Sequence, residues 1–386
     1  MDLDLSAVEP WRRQVREWLR AHVPPVALPS LETEAGFAAH REWERELGAA
    51  LLSVVSWPAE YGGRAASPLE WLVFEEEYYA AGAPGRVSQN GINLLAPTLF
   101  KHGTPEQLAR VLPAMAAGEV IWAQAWSEPG AGSDLAALRS TATRTDGGWL
   151  LNGQKTWSSR AAFADRGFGP FRSSDEGRHR GLTYLMFALD APGVTVRPIG
   201  RLDGKPAFAE LFLDDVFVPD ADVIGEPGEG WRVAMSTAGN ERGLNLRSPG
   251  RFLSAASRLV ELWKAVGDPA DTALRDRVAD TWIKARAYRL KGMETISRSD
   301  DIGAEASVNK LFWSQFDVEL HETALDLLGP LGELAEIPPG TPAGGLGESW
   351  LEGYVFSLAG PIYAGTNEIQ RNVVAERVLG LPRGAR

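Results

Sequence analysis

The chain has 386 residues, of which 44% are hydrophobic and 23% charged, and its formal charge is −12 at pH 7. This composition is typical of a globular protein, and the acidic balance argues against sequence-independent nucleic-acid binding. The absence of cysteine excludes disulfides, thiolate metal sites and a cysteine nucleophile. No segment approaches membrane-spanning length and the first residues do not resemble a signal peptide, so we expect a cytoplasmic protein without membrane contact.

The first third of the chain has a helical pattern. An amphipathic run begins at Pro10 and ends before Pro24, and residues 68–81 predict a second helix. Thr104-Pro105-Glu106 is typical of a helix cap and first turn, which predicts a helix over residues 107–115. Residues 1–118 are therefore expected to form a helical domain.

After Gly118 the pattern changes to short apolar or alternating segments separated by clusters of Gly, Pro and Asp. This pattern predicts a β domain over residues 119–224, a common domain size. The expected strands lie within residues 120–126, 149–151, 183–188, 194–198 and 210–213.

Long helical patterns follow the Gly-rich turn at residues 225–230 and predict a helical domain over residues 225–386. A polar loop rich in Pro and Gly is expected at residues 336–347. The S-x-x-K string at Ser307–Lys310 lacks any companion motif, so we expect it on a helix surface. The expected helices lie at residues 231–240, 251–266, 274–297 and 304–328.

The string Ser127-Glu128-Pro129-Gly130-Ala131-Gly132-Ser133-Asp134 joins a predicted strand to a glycine-containing turn. Glycines let backbone N–H groups approach a pyrophosphate closely, and the two serines add hydroxyl donors. A glycine turn alone is equally well explained as a plain loop, but the complete string is more specific. Trp157 follows in Asn152-Gly153-Gln154-Lys155-Thr156-Trp157, and an indole there either packs in the core or covers a flat cofactor ring.

Together with Tyr363-Ala364-Gly365-Thr366-Asn367-Glu368-Ile369-Gln370-Arg371, these strings resemble those of the flavin-dependent acyl-CoA dehydrogenases. The resemblance covers nearly the whole chain. It implies an α+β fold: an all-α N-terminal domain, a central β-barrel-like domain and a C-terminal four-helix bundle, with FAD between them. It implies FAD contacts from Ser127, Gly132, Ser133, Trp157, Ser159, Thr366, Asn367 and Glu368, and substrate contacts from Ser133, Arg242, Ala364 and Gly365.

The resemblance also bears on the catalytic base, because many members have a glutamate where Ala364 stands. Isovaleryl-CoA and long-chain acyl-CoA dehydrogenases instead carry the base on an earlier helix, directly before an arginine. The matching pair here is Glu241-Arg242, so Glu241 is the expected base and Arg242 is expected to orient it or contact the substrate. The alternative is an ordinary ion pair at a solvated helix end.

Two segments that reach the FAD of a neighbouring subunit in many members match poorly here, namely residues 267–271 and 326–330. Chains that resemble this one sometimes work as mixed αβ assemblies. We expect a homo-oligomer, either dimer or tetramer, with a heteromeric assembly as the alternative.

The resemblance implies α,β-desaturation of an acyl-CoA or carrier-protein thioester. Glu241 would remove the α-proton, the β-hydride would pass to flavin N5, and an electron-transfer flavoprotein would accept the electrons. The alternatives are a flavin oxidase or monooxygenase on the same fold, and a non-catalytic partner subunit that binds acyl-CoA or supports the flavin of another chain.

Overall fold

The computed structural model of the chain describes residues 6–241, 247–297, 303–338, 340–343 and 350–383. These residues form two compact units. A helical unit comprises the described residues of 6–27, 66–84 and 247–383, and a sheet unit comprises 28–65 and 85–241. Within the described residues, no helix is both long and apolar enough to cross a membrane.

In chain order, the described helices are α1 (Glu9–His22), α2 (Glu34–Ala49), α3 (Pro68–Ala80), α4 (Ala96–His102), α5 (Pro105–Ala116), α6 (Gly230–Glu241), α7 (Pro249–Val266), α8 (Thr272–Ser297), α9 (Ala306–Leu328), α10 (Trp350–Ser357) and α11 (Asn367–Val373). The π-helical turn Gly91–Leu95 leads directly into α4. Helices α1, α3 and α7–α11 belong to the helical unit, and α2 and α4–α6 belong to the sheet unit. The expected succession of helical, sheet and helical segments along the chain is confirmed.

The strands are β1 (Trp122–Gln124), β2 (Thr141–Thr145), β3 (Gly148–Ser159), β4 (Arg166–Arg172), β5 (Leu182–Ala188), β6 (Val194–Ile199), β7 (Phe208–Pro219) and β8 (Val223–Ile224). They form one eight-stranded sheet in the order β6-β7-β3-β2-β4-β5-β8, with β1 paired to β4 in parallel. Large side chains from several strands, including Trp149, Phe171 and Phe187, form the core of this unit.

Two of the helices predicted from the sequence begin with reciprocal capping boxes. At α3, Ser67 Oγ accepts the backbone N–H of Glu70 at 3.2 Å, and Glu70 Oε2 accepts that of Ser67 at 2.7 Å. Thr104 and Gln107 make the same exchange at α5. Each box provides partners for backbone N–H groups that the first helical turn leaves without them.

Strand β3 is longer than the predicted segment 149–151 and pairs with β7 through two irregularities, between Leu151 and Gly153 and between Lys155 and Ser158. Gly153 has φ +140°, and a Cβ at this position would lie 2.3 Å from Ser140 Oγ, so only glycine fits. Asn152 and Gly153 thus lie at a bulge within a strand.

The prediction that Ser307 and Lys310 lie on a helix surface is wrong. Both side chains are fully buried, because α9 packs against several other elements of the helical unit. Lys310 Nζ donates to Asn367 Oδ1 at 2.7 Å and to the Pro361 carbonyl at 3.2 Å. A buried ammonium is stable only with such partners.

A second buried charge joins α7 to α9. Arg251 donates two hydrogen bonds to the Asp317 carboxylate, at 3.0 and 3.2 Å. Burial alone would raise the pKa of Asp317, but the charge of Arg251 holds this pKa below its usual value. The pair is therefore ionised inside the helical core.

We predict that Asp317→Asn destabilises the protein by about 3–5 kcal/mol, because it removes a buried carboxylate and leaves the half-buried Arg251 guanidinium without its counter-charge. Asp326→Asn is the matched control, since it removes an exposed carboxylate on α9 that pairs with Arg277 on α8. That change should cost less than about 1 kcal/mol. Urea unfolding of the two variants measures both values, and equal losses would contradict the prediction.

Candidate active site

The turn predicted to hold phosphates lies in the sheet unit directly after β1. The backbone groups of Glu128 and Ala131 exchange two hydrogen bonds, at 2.9 and 3.0 Å, which close the turn. The Thr156 N–H donates to the Ser127 carbonyl at 2.8 Å, so the turn is also attached to β3. Gly132 and Ser133 are exposed, and no protein atom lies within 4 Å of a Cβ built on Gly130 or Gly132. The protein thus leaves the space over this turn open.

A buried ion pair between Lys155 and Glu128 attaches the same turn to β3. Lys155 Nζ donates to Glu128 Oε1 at 2.8 Å and to the Pro170 carbonyl at 2.9 Å. The Glu128 carboxylate also accepts the backbone N–H groups of Arg139 and Ser140, at 2.6 and 3.0 Å. One carboxylate therefore connects β3 to both ends of the segment that carries Ser133.

The electrostatics of this pair follow from its burial. Burial would raise the pKa of Glu128, but the Lys155 charge and the three donors hold it below the usual value. Burial lowers the pKa of Lys155, and Glu128 opposes that shift. No pattern in the sequence indicates the burial of Lys155, because the bulge between Leu151 and Gly153 interrupts the alternation that would relate it to the buried Trp149 and Leu151.

Trp157 projects from β3 with 60% of its side chain exposed and with φ +60°. A large side chain seldom takes a left-handed backbone conformation, and such strain is most frequent at functional sites. The indole makes an edge contact with Phe208, at 5.9 Å between ring centroids. Ser159, at the end of the strand, is half-buried, and its carbonyl accepts a 3.5 Å hydrogen bond from Asn90 Nδ2.

Several polar side chains of this unit have buried atoms without partners, and two of them lie close in sequence to predicted site residues, Gln124 with its Nε2 atom and Ser158 with its Oγ atom. Buried polar groups are normally hydrogen-bonded, so atoms without partners suggest a ligand that would complete them. Gln124 ends β1 three residues before Ser127, and Ser158 follows Trp157 directly. A polar residue at the end of an apolar strand is the only signal in the sequence for Gln124.

The expected base Glu241 is the last residue of α6 and is half-buried. Tyr184 on β5, which is fully buried, is one of the groups that the charge of Glu241 affects. Burial raises the pKa of this phenol, and the negative charge of Glu241 raises it further. Glu241 thus acts on a buried polar group inside the sheet unit, unlike a residue on a fully solvated helix end. Arg242 lies outside the described residues.

The remaining predicted residues lie in the helical unit, in the loop before α11 and at the start of that helix. Ala364 and Gly365 have φ values of +57° and +76°, and Gln370 Nε2 donates to both of their carbonyls, at 3.0 and 3.2 Å. Thr366 caps α11 by accepting the Ile369 N–H. Asn367 is buried, and its Oδ1 accepts from Lys310 and Ser314, whereas Glu368 is exposed.

Three successive segments match sequence models of one family. Residues 7–119, 123–216 and 228–379 match the N-terminal, middle and C-terminal domains of acyl-CoA dehydrogenases. The chain belongs to the acyl-CoA dehydrogenase family. Members of this family are FAD-dependent oxidoreductases, and the open turn, the exposed indole and the partnerless Gln124 and Ser158 atoms fit such a cofactor.

The similarity to individual acyl-CoA dehydrogenases spans whole chains. The chain is 40% identical to acyl-CoA dehydrogenase IpdE1 of Mycolicibacterium smegmatis, over 97% of this chain and 98% of the relative. It is 30% identical to a chain of the ChsE4-ChsE5 complex from Mycobacterium tuberculosis, with a TM-score of 0.84 and complete coverage of both chains. The Tcur3481-Tcur3483 steroid ACAD is 27% identical, with a TM-score of 0.85 and the same coverage.

We predict that Glu128→Gln destabilises the protein most at neutral pH, by about 3–5 kcal/mol, because Lys155 loses its buried counter-charge. The folded-state pKa of Glu128 lies below its unfolded value, so its stabilising contribution is present above the unfolded pKa of about 4.3 and is lost as pH falls through the folded pKa. The stability difference between parent and variant should therefore shrink in acid.

Urea unfolding of parent and variant between about pH 7 and pH 3.5 measures this difference. Glu226→Gln, at an exposed position of the same unit, serves as control and should show a small, constant difference. A difference for Glu128→Gln that does not change with pH would contradict the prediction.

Proposed function

We propose that the chain desaturates an acyl-CoA thioester between its α and β carbons, with Glu241 as the base. The observation that carries this proposal is the position of Glu241 at the end of α6, half-buried, with its charge acting on the buried Tyr184. A carboxylate positioned beside the substrate can act as the general base that removes an α-proton. Ala364 has no side chain that can take this role.

Four further residues have proposed roles in orienting the base or binding the substrate. Arg242 would orient the Glu241 carboxylate or contact the substrate. The backbone N–H of Ala364 would donate to the thioester carbonyl, which stabilises negative charge that develops on this oxygen as the α-proton leaves. Gly365 and Ser133 would contact the remainder of the substrate.

We propose that Ser127, Gly132, Ser133, Trp157 and Ser159 of the sheet unit bind FAD, together with Thr366, Asn367 and Glu368 of the helical unit. When bound, FAD supplies the acceptor for the β-hydrogen and its two electrons. The open turn would hold the pyrophosphate through backbone N–H groups, and Trp157 would cover one face of the ring. An electron-transfer flavoprotein would accept the electrons, as in other members of the family.

For the acyl group, we propose a bulky, polycyclic structure. The support is the similarity to the Tcur3481-Tcur3483 protein, which is named a steroid ACAD. Pairs of different chains are also named in that title and in that of the ChsE4-ChsE5 complex, and these favour a heteromeric assembly over a homo-oligomer. Co-expression with candidate partner chains, followed by measurement of mass and flavin content, tests the assembly.

The decisive experiment is anaerobic flavin bleaching with a panel of acyl-CoA thioesters that includes steroid side-chain esters. We predict that Glu241→Gln slows bleaching by about 10²–10⁴-fold, because the general base is lost. Glu226→Gln is the matched control and should bleach at the parental rate. If Glu241→Gln bleaches as fast as the parent, the base assignment is wrong.

A second variant tests the family's other base position. Ala364→Glu in the Glu241→Gln background should restore part of the lost bleaching rate. Two further readouts separate the alternatives: rapid oxygen consumption by the reduced protein would indicate an oxidase or monooxygenase, and a colourless protein would indicate a non-catalytic subunit. A yellow protein that bleaches with acyl-CoA and reacts slowly with oxygen supports the dehydrogenase.

A further inference from the structure

The half-buried Trp126 and three fully buried side chains of the sheet unit form a continuous hydrogen-bonded chain. Trp126 Nε1 lies 2.9 Å from Tyr184 Oη, which lies 3.4 Å from Thr237 Oγ1. Thr237 Oγ1 in turn lies 2.7 Å from Thr98 Oγ1, and Thr98 donates to the Leu94 carbonyl at 2.7 Å. The chain therefore links the residue before Ser127 to β5, α6 and α4.

Both ends of this chain are fixed. The indole N–H of Trp126 donates to Tyr184 Oη, and the Thr98 and Thr237 hydroxyls also have backbone carbonyls as acceptors, Leu94 at 2.7 Å and Val233 at 3.1 Å. Within the Thr98–Thr237 and Tyr184–Thr237 pairs, either hydroxyl can be the donor. The hydroxyl-bearing side chains Thr98, Tyr184 and Thr237 are fully buried, so water cannot replace a lost member.

Thr237 connects this chain to the expected base. It lies four residues before Glu241 on α6, so the two side chains share one helix face. A hydroxyl bonded on one side to β5 and on the other to α4 restrains the rotation of α6 about its axis. That rotation decides where the Glu241 carboxylate lies. An apolar side chain of equal size would fill the space without this directional restraint.

We propose that Thr237 is a positioning residue for the dehydrogenation reaction, holding α6 at the rotation that places the Glu241 carboxylate. This inference rests on the proposed role of Glu241. Thr237 touches neither substrate nor cofactor in this scheme, and acts through Glu241. Tyr184 and Thr98 support it by occupying both sides of its hydroxyl.

The test compares Thr237→Val, which keeps the branched shape and removes the hydroxyl, with Thr237→Ser, which keeps the hydroxyl. We expect Thr237→Val to slow anaerobic bleaching at least about tenfold at saturating acyl-CoA, with the substrate dissociation constant unchanged within about twofold. Thr237→Ser should restore the rate to within about threefold of the parent. Thr281→Val, which removes a buried hydroxyl from α8, is the matched control and should leave bleaching unchanged.

A double variant shows whether Thr237 acts through the base. Adding Thr237→Val to Glu241→Gln should not lower the bleaching rate further. Once the base has been removed, the rotation of α6 no longer affects proton removal. Two results would overturn the inference while leaving the Glu241 assignment intact. One is a double variant whose fold-loss in bleaching rate equals the product of the two single-variant losses, and the other is a parental rate for Thr237→Val. A parental rate for Glu241→Gln would instead overturn the proposed function. Should Thr237→Val yield no folded protein, Tyr184→Phe removes the preceding hydroxyl, and a parental rate there overturns the inference equally.

Discussion

The buried ion pair between Lys155 and Glu128 is the interaction on which the candidate cofactor site of the sheet unit depends. Lys155 is fully buried, and taking an ammonium out of water is costly unless acceptors surround it. Glu128 repays this cost only while it also accepts the N–H groups of Arg139 and Ser140. The chain thus cannot bury Lys155 without also closing the turn between Ser127 and Ser140. A glycine-containing turn that would be mobile alone is thereby fixed to the sheet.

The helical unit uses a buried cation in the same way. Lys310 on α9 is fully buried and donates to the Pro361 carbonyl and to Asn367 Oδ1, so it attaches the loop before α11 to a rigid helix. These two partners of Lys310 are neutral, whereas Lys155 pairs with the Glu128 carboxylate. In each unit a lysine on a regular element holds the irregular segment that carries predicted site residues. Sites supported by rigid elements hold their geometry more closely than sites supported by loops alone.

The sequence was sufficient to predict the order of helical and sheet segments, because capping signals and apolar periodicity are local. It was not sufficient for β2 and β4. The segment Thr141–Thr145 contains strand-favouring threonines but no large apolar residue that would mark a buried face, and Arg166–Arg172 contains two glycines and a proline, which are depleted in strands. Their pairing with neighbouring strands, a long-range contact, makes them strands. Partners of Lys310 lie more than 50 residues away along the chain, which is why its burial could not be predicted.

The candidate site likewise combines features that local sequence signals predict with features that depend on long-range contacts. The strings around Ser127, Trp157 and Thr366 predict that these segments carry site residues, because glycine turns and an indole have recognisable chemistry. No local signal selected Tyr184 or Thr237, since a tyrosine in an apolar strand and a threonine in a helix are ordinary core residues. Their contribution arises from hydroxyl groups that meet only after β5, α6 and α4 have packed.

Ala364 illustrates how a catalytic group can be absent while its setting is kept. Its backbone is left-handed, which costs any residue with a Cβ about 1–2 kcal/mol. The buried Gln370 maintains this conformation by donating to the carbonyls of Ala364 and Gly365, and Thr366 caps the helix that follows. The loop therefore does not need a carboxylate at position 364 to take its shape. In the proposed scheme, the base on α6 is restrained by the helix backbone and by the buried hydroxyl of Thr237. The scheme thus takes the base from α6, while the loop around position 364 keeps its shape without a carboxylate.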